Sequence, residues 1–188
     1  MTYDSRPDTY EHIQKVQRNL HSIAMTLLCR AEDHDASKLK EPEKEAFDIA
    51  TPKLKGLTYG STEYKESTAQ LGEALKHHYA NNRHHPEHFT RYECNGCFKQ
   101  YKANKPSVCE VCGYTQFTAR SDISQMTLVD LIEMLCDWKA AVERHDDGDI
   151  HKSIEINKER YGISDQLSQI LENTINNWWH MEANRGAL

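Results

Sequence analysis

Four cysteines, Cys94 and Cys97 in CNGC and Cys109 and Cys112 in CEVCG, constrain this chain more than any other feature of its sequence. Each CxxC turn offers two thiolates to one ion, and two such turns complete a tetrahedron, so the spacing reads as a closed, structural zinc site. Gly113 permits the tight backbone after the second pair. Phe98, Tyr101, Tyr114 and Phe117 can pack around an ion whose binding supplies folding free energy that so small a core lacks. From about residue 90 to 118, short aromatic and cysteine-bearing pieces replace the longer periodicities on either side. This segment is expected to be a β-hairpin module of the zinc-ribbon type, with a disulfide or redox role as the competing account. Cys29 and Cys136 lie in apolar helical stretches and read as buried thiols.

The flanking sequence is helical in pattern. Ile13, Val16, Leu20, Ile23, Ala24 and Leu27 recur at helical spacing between Tyr10 and about Arg30. EPEKEAFDIATPKL predicts a short helix ended near Pro52, and KGLTYGSTEYKES predicts a glycine-containing loop. Leu71, Ala74 and Leu75 mark a helix over about 66–79, on which His78 points inward and His77 sits nearer the edge. Thr127 and Asp130 have the form of a capping box, followed by a helix reaching about His145 whose apolar face holds Leu128, Leu131, Ile132, Leu135, Trp138 and Val142. After a break at HDDGD, a short helix over 151–160 precedes a last one marked by Ile163, Leu167, Ile170, Leu171, Ile175 and Trp178. Trp178-Trp179 reads either as core or as a subunit contact. The expected fold is all-α: one helical domain built from 1–89 and 119–188, interrupted by the module at 90–118.

With 188 residues the chain suits one globule with an insertion. A formal charge of -6 does not favour nucleic acid overall, although Lys99, Lys102 and Lys105 leave a local contact open beside a lid or an oligomer role for the cysteine module. No run approaches the roughly 18 apolar residues of a membrane span. The start MTYDSRPDTYEH has neither a basic n-region nor an apolar h-region. The expectation is a cytoplasmic protein, in whose reducing surroundings paired cysteines bind metal more readily than each other.

A second metal signal lies outside the cysteines. The doublet His34-Asp35 in RAEDHDASKL has candidate partners in His12, in His77-His78 and His84-His85, and in Asp137 within LIEMLCDWKA. Imidazole and carboxylate hold zinc, iron or manganese while leaving positions open for water, which is the pattern of a catalytic centre. Asp137 has apolar neighbours, and an ionised carboxylate there is costly unless a cation or hydrogen bonds compensate it. The bland alternative makes Asp137 an exposed member of a polar stripe with Asp130 and Glu133.

In this order the residues resemble the HD-domain superfamily of metal-dependent phosphohydrolases, whose ligands are a His, an adjacent His-Asp and a distant Asp on helices. HDASKL, the EYK of Glu63 to Lys65, ALKHHYANNRHHPEHF and LIEMLCDW look more narrowly like a poorly characterised HD-like family of bacteria and phages. The resemblance implies an HD-type helical fold with metal ligands His12, His34, Asp35 and Asp137, and with His21 as the alternative first ligand. It also implies a possible second ion bridged by Asp35 and held by His78 with His84 or His85. Lys38, in the HDxxK form, is then a contact to substrate phosphate, joined by Lys65, His77 and Arg83, and His84 protonates the leaving oxygen. The implied reaction is hydrolysis of a nucleotide or other small phosphoester by a metal-activated water, with one or two ions of manganese, cobalt, nickel, magnesium, zinc or iron beside the structural zinc. Two other classes stay open: a diiron oxygenase on the same fold, and a zinc-ribbon nucleic-acid-binding or adaptor protein with a vestigial HD site. A homo-oligomer is compatible with each.

Overall fold

Helices that bury only one stripe need a partner for it, and three such stripes meet here to form the core. The computed structural model describes residues 3–57, 61–102, 104–144 and 148–185, with side chains of the last helix described up to Trp178. In chain order the helices are α1 (Arg6–Asp33), α2 (Lys44–Leu54), α3 (Thr62–Ala69), α4 (Gly72–Asn81), α5 (Leu128–Val142), α6 (Ile150–Tyr161) and α7 (Asp165–Arg185). Strands β1 (Thr90–Cys94), β2 (Gln100–Lys102) and β3 (Phe117–Ser121) fall between α4 and α5. Short 3-10 turns cover Ala36–Leu39, Pro86–Phe89 and Ile123–Gln125.

The core is made by α5, α6, α7 and the α6–α7 turn: Met134, Leu135 and Trp138 meet Ile150, Ile154, Ile163, Leu171 and Ile175. At about 25 cal/mol per Å² of apolar surface removed from water, residues of this size each contribute roughly 1.5–3 kcal/mol. The capping box is as read from the sequence. Thr127 Oγ1 accepts from the Asp130 backbone N–H at 3.2 Å, and an Asp130 carboxylate oxygen accepts from the Thr127 N–H at 2.9 Å. Asp149 caps α6, which stops at Gly162 in the left-handed region with φ 64°.

Several expectations need correction. The first helix has no buried residue: Ile13, Val16, Leu20 and Ile23 are exposed, because only the C-terminal end of α1 packs on α5. Periodicity identified the stripe but not its partner. Pro52 does not end α2, since it sits in the last turn, where its missing N–H forfeits one bond while the Lys55 N–H still reaches the Thr51 carbonyl at 3.1 Å. Of the glycine-containing loop expected over 55–67, residues 58–60 lie outside the described residues and the part from Thr62 onward is helical. Ser61 caps α3 by accepting from the Tyr64 N–H at 3.1 Å, and the helix expected over 66–79 is two helices divided before Gly72, whose φ is 52°. The cysteine segment is a three-stranded antiparallel sheet in the order β2-β1-β3, with Tyr92 opposite both Tyr101 and Ala119, and β3 carries the sheet to Ser121. Cys29 is exposed and Cys136 only half-buried. Trp178 packs at the edge of the core, while the Trp179 side chain and residues 145–147 lie outside the described residues. No described helix is long and apolar enough to cross a membrane.

Candidate metal centre

The four cysteines come together as their spacing predicts. Cys94, Cys97, Cys109 and Cys112 each offer a sulfur within 4.8 Å of the others. The closest pairs, Cys94 with Cys112 and Cys97 with Cys109, are 3.5 Å apart. That is far longer than a disulfide of about 2.05 Å and close to the roughly 3.8 Å expected between thiolates bound tetrahedrally at about 2.3 Å. The Tyr101 hydroxyl, 3.2 Å from Cys109 Sγ, holds that thiol down to about 6, and the Gly96 N–H points at Cys94 Sγ from 3.4 Å. A Cβ at Gly96 would meet the Tyr114 ring carbon at 3.1 Å and Cys112 Sγ at 3.3 Å, so a larger residue in this knuckle would have to push Tyr114 or the thiolate aside by a few tenths of an ångström. Four thiolates close the coordination sphere and leave no open position for substrate.

The second cluster is assembled from distant pieces. His34 is the residue on which α1 ends, and Asp35 follows in the left-handed region with φ 56°, a conformation that asparagine and aspartate tolerate and that turns the chain sharply. His78 comes from α4 and is 1% exposed, and His84 and His85 come from the turn before Pro86. That turn is tied down where Glu87 accepts from Arg160 at 2.7 Å and Tyr161 at 2.8 Å at the end of α6. Asp137 comes from α5, whose other face holds Met134, Leu135 and Trp138 in the core.

Two overlapping sets result: Asp35, His78, His84 and His85, and His34, His84 and Asp137. Asp35 Oδ1 lies 3.3 Å from His78 Nε2 and 3.5 Å from His84 Nε2. Its other oxygen, Oδ2, is 3.8 Å from His34 Nε2, which in turn is 3.7 Å from Asp137 Oδ1. Donors held at about 2.1 Å from one ion stand roughly 3.0–3.4 Å apart, so the contacts of Asp35 Oδ1 are close to that range and those of His34 Nε2, at 3.7–3.8 Å, come within it by an inward shift of a few tenths of an ångström. Two atoms make the stronger case. Asp35 Oδ1 and His84 Nε2 are buried and have no hydrogen-bond partner, an expensive condition for a carboxylate oxygen unless a cation compensates it.

Behind the ligand atoms, two carboxylates orient the rings. Glu133 Oε1 accepts from His34 Nδ1 at 2.9 Å and from His84 Nδ1 at 3.0 Å. Glu43, fully buried, accepts from His77 Nδ1 at 2.7 Å and His78 Nδ1 at 2.9 Å. With Nδ1 turned to a carboxylate, the Nε2 atoms of His34, His78 and His84 face the centre, that of His78 lying 2.8 Å from His85 Nε2, which is the carboxylate–histidine arrangement that supports bound metals. Arg30 and Arg83 hold the outer layer: Arg30 reaches Glu133 at 2.5 Å and Asp130 at 3.1 Å, and Arg83 reaches Asp130 at 3.0 Å.

Charge is concentrated here. Asp137, and after it Glu133, raises His34 to about 10. Burial, with the neighbouring imidazoles of His84 and His78, pushes His85 down to about 3. Burial opposes the charge on Asp35, yet Lys38, 2.6 Å away, keeps its carboxyl below the usual range. Beside Asp35 opens a pocket of about 610 Å³ lined by Lys38, Phe47, Asp48, Thr51, Pro52, Lys55 and Arg144.

Set against the sequence-based expectations, His34, Asp35, Asp137, His78 and His85 are brought together and His12 and His21 are not. Both are exposed on α1, and the 22 residues from His12 to His34 span about 33 Å of unbroken helix at 1.5 Å per residue. His84 sits among the ligand atoms, 1% exposed, so it is not free to protonate a leaving group. Arg83 is occupied by Asp130, His77 is held by Glu43 at the edge of the site, and Lys65 is exposed and absent from the pocket lining. Glu43, Glu133 and Arg30 were missed. Glu133 left a signal, lying three residues after Asp130 and four before Asp137 on one face of α5; Glu43 left none.

The fold and its two clusters define a helical protein with one closed cysteine site and one open imidazole–carboxylate site. The chain belongs to DUF5662, a family of unknown function whose model matches residues 1–177. No curated protein and no solved structure matches it.

Proposed function

We propose that this chain is a metal-dependent phosphohydrolase of the HD type, acting on a nucleotide or another small phosphoester, with a separate structural zinc in the cysteine module. The observation that carries the reading is the pair of orphaned buried ligand atoms, Asp35 Oδ1 and His84 Nε2, of which Asp35 also lines a pocket that holds Lys38. His34, Asp35, His78, His84, His85 and Asp137 fit one divalent ion or two, and the two oxygens of Asp35 face different members of the set. An ion bound there supplies a Lewis acid and lowers the pKa of coordinated water toward neutrality.

The residues of the chain do the rest. Glu133 and Glu43 fix the tautomers of three ligand rings, so no reorientation is needed when substrate arrives. Asp35 and Asp137 balance cationic charge in a buried setting. Lys38 sits between Asp35 and the Phe47 ring, 5.0 Å from its centroid, where an ammonium offsets the charge on phosphate oxygens. The four clustered imidazoles also favour a second reading, an iron-dependent oxygenase; two irons per chain and an oxygen-sensitive spectrum would select it.

The test is a screen of nucleotides and generic phosphoesters with added manganese, cobalt, nickel or magnesium, run on wild type and Asp35→Ala. The expected outcome is metal-dependent turnover that the substitution abolishes. Turnover that survives Asp35→Ala would refute the proposed centre.

A further inference from the structure

The pocket beside Asp35 contains more positive charge than the centre uses. Of its two carboxylates, Asp35 is engaged by Lys38 at 2.6 Å and Asp48 by Lys44 at 2.6 Å. The other two cations of the lining, Lys55 and Arg144, have no ion pair with any described residue. They arrive from separate elements, Lys55 at the end of α2 and Arg144 just after α5. Both are exposed, and neither is neutralised by a described carboxylate, although the chain carries a formal charge of -6. Their isolation in a wall that also carries Phe47 fits an anionic ligand better than a structural role.

We infer that Lys55 and Arg144 form a second anion subsite, so that the preferred substrate is a small phosphorylated molecule bearing another anionic group away from the scissile phosphoester. This deepens the phosphohydrolase reading and rests on it for the word substrate. The volume of about 610 Å³ is in the range of small-molecule sites and far exceeds the needs of one phosphate. One anionic group sits by Asp35 and Lys38, the body of the molecule lies against Phe47, and the second group meets Lys55 and Arg144. Arginine offers a forked pair of donors to such a group and lysine a mobile point charge, a combination that accepts phosphate or carboxylate.

The experiment is calorimetric titration of the full-length protein, its bound metal left in place, with inorganic pyrophosphate, on wild type, Lys55→Ala/Arg144→Ala, and Lys53→Ala as a charge control on the same helix outside the lining. The expected result is at least a fivefold loss of affinity in the double variant and less than twofold in Lys53→Ala. A loss below fivefold in the double variant, an equal loss in Lys53→Ala, or no binding to wild type overturns the subsite. The arms separate the two claims. Pyrophosphate binding that depends on Lys55 and Arg144 without turnover of any phosphoester keeps the subsite and removes the hydrolase, whereas turnover indifferent to the double variant does the reverse.

Discussion

The cysteine cluster and the imidazole–carboxylate cluster are both candidate metal sites, but they are built in opposite ways. The first draws four ligands from 19 consecutive positions, 94–112, and their chemistry is complete within that segment. The second draws on the end of α1, the turn after it, α4, the turn before Pro86 and α5, and its orienting contacts join residues about 100 positions apart, as between His34 and Glu133. A site that closes locally can fold around its ion and serve as a staple. One assembled from five places is only as well formed as the body that carries it, and in exchange it keeps an open side facing a pocket. The comparison teaches that the cysteine site should govern the stability of its own module, and that the histidine site should depend on the core.

The largest effect should come from breaking the local site. Cys109→Ser should release one metal per chain and unfold residues 90–121, because binding of a structural zinc contributes on the order of 10–16 kcal/mol in small zinc modules. Amide exchange should show protection lost there and kept in α5, α6 and α7. Next comes the long-range scaffold. Asp130 is fully buried, closes the cap of α5 and receives both Arg30 and Arg83, so Asp130→Ala should cost about 1.5–3 kcal/mol by denaturant unfolding, the range for losing hydrogen bonds to a charged group, because Arg30 keeps Glu133 and Arg83 is partly exposed. Burial opposes the Asp130 charge, but Arg83 and Thr127 hold the carboxyl below its usual value. Its contribution is therefore present above about pH 4 and lost as pH falls below that, and an acid titration of Asp130→Ala should lack this component.

A smaller effect is expected from the orienting layer. Glu133→Gln keeps the shape but not the charge that fixes His34 and His84, and should weaken metal binding at the open site by about 10–100-fold while leaving the cysteine metal in place. The smallest belongs to α1. His12→Ala and His21→Ala should change stability by less than about 0.5 kcal/mol and leave metal content unaltered, since both residues are exposed and remote from His34.

This ordering also explains what could be read from sequence. Cys94 to Cys112 and the Thr127–Asp130 box are contained in short windows whose spacing encodes their geometry, and both were legible. His34, Asp35 and Asp137 were legible as chemistry, because a carboxylate among apolar helical neighbours needs compensation. His12 misled because helical phase says which face a residue occupies and nothing about whether that end of the helix reaches the site. Glu43, Arg30, Lys55 and Arg144 are ordinary surface-type residues in the sequence, and only tertiary packing brings them to the centre or the pocket.

The most direct test of the central claim is metal content per chain in wild type, Cys109→Ser and Asp35→Ala. Two or more ions in wild type are expected, falling by one in Cys109→Ser and to the cysteine-bound ion alone in Asp35→Ala. A single ion in wild type, lost entirely in Cys109→Ser and retained in Asp35→Ala, would contradict the account.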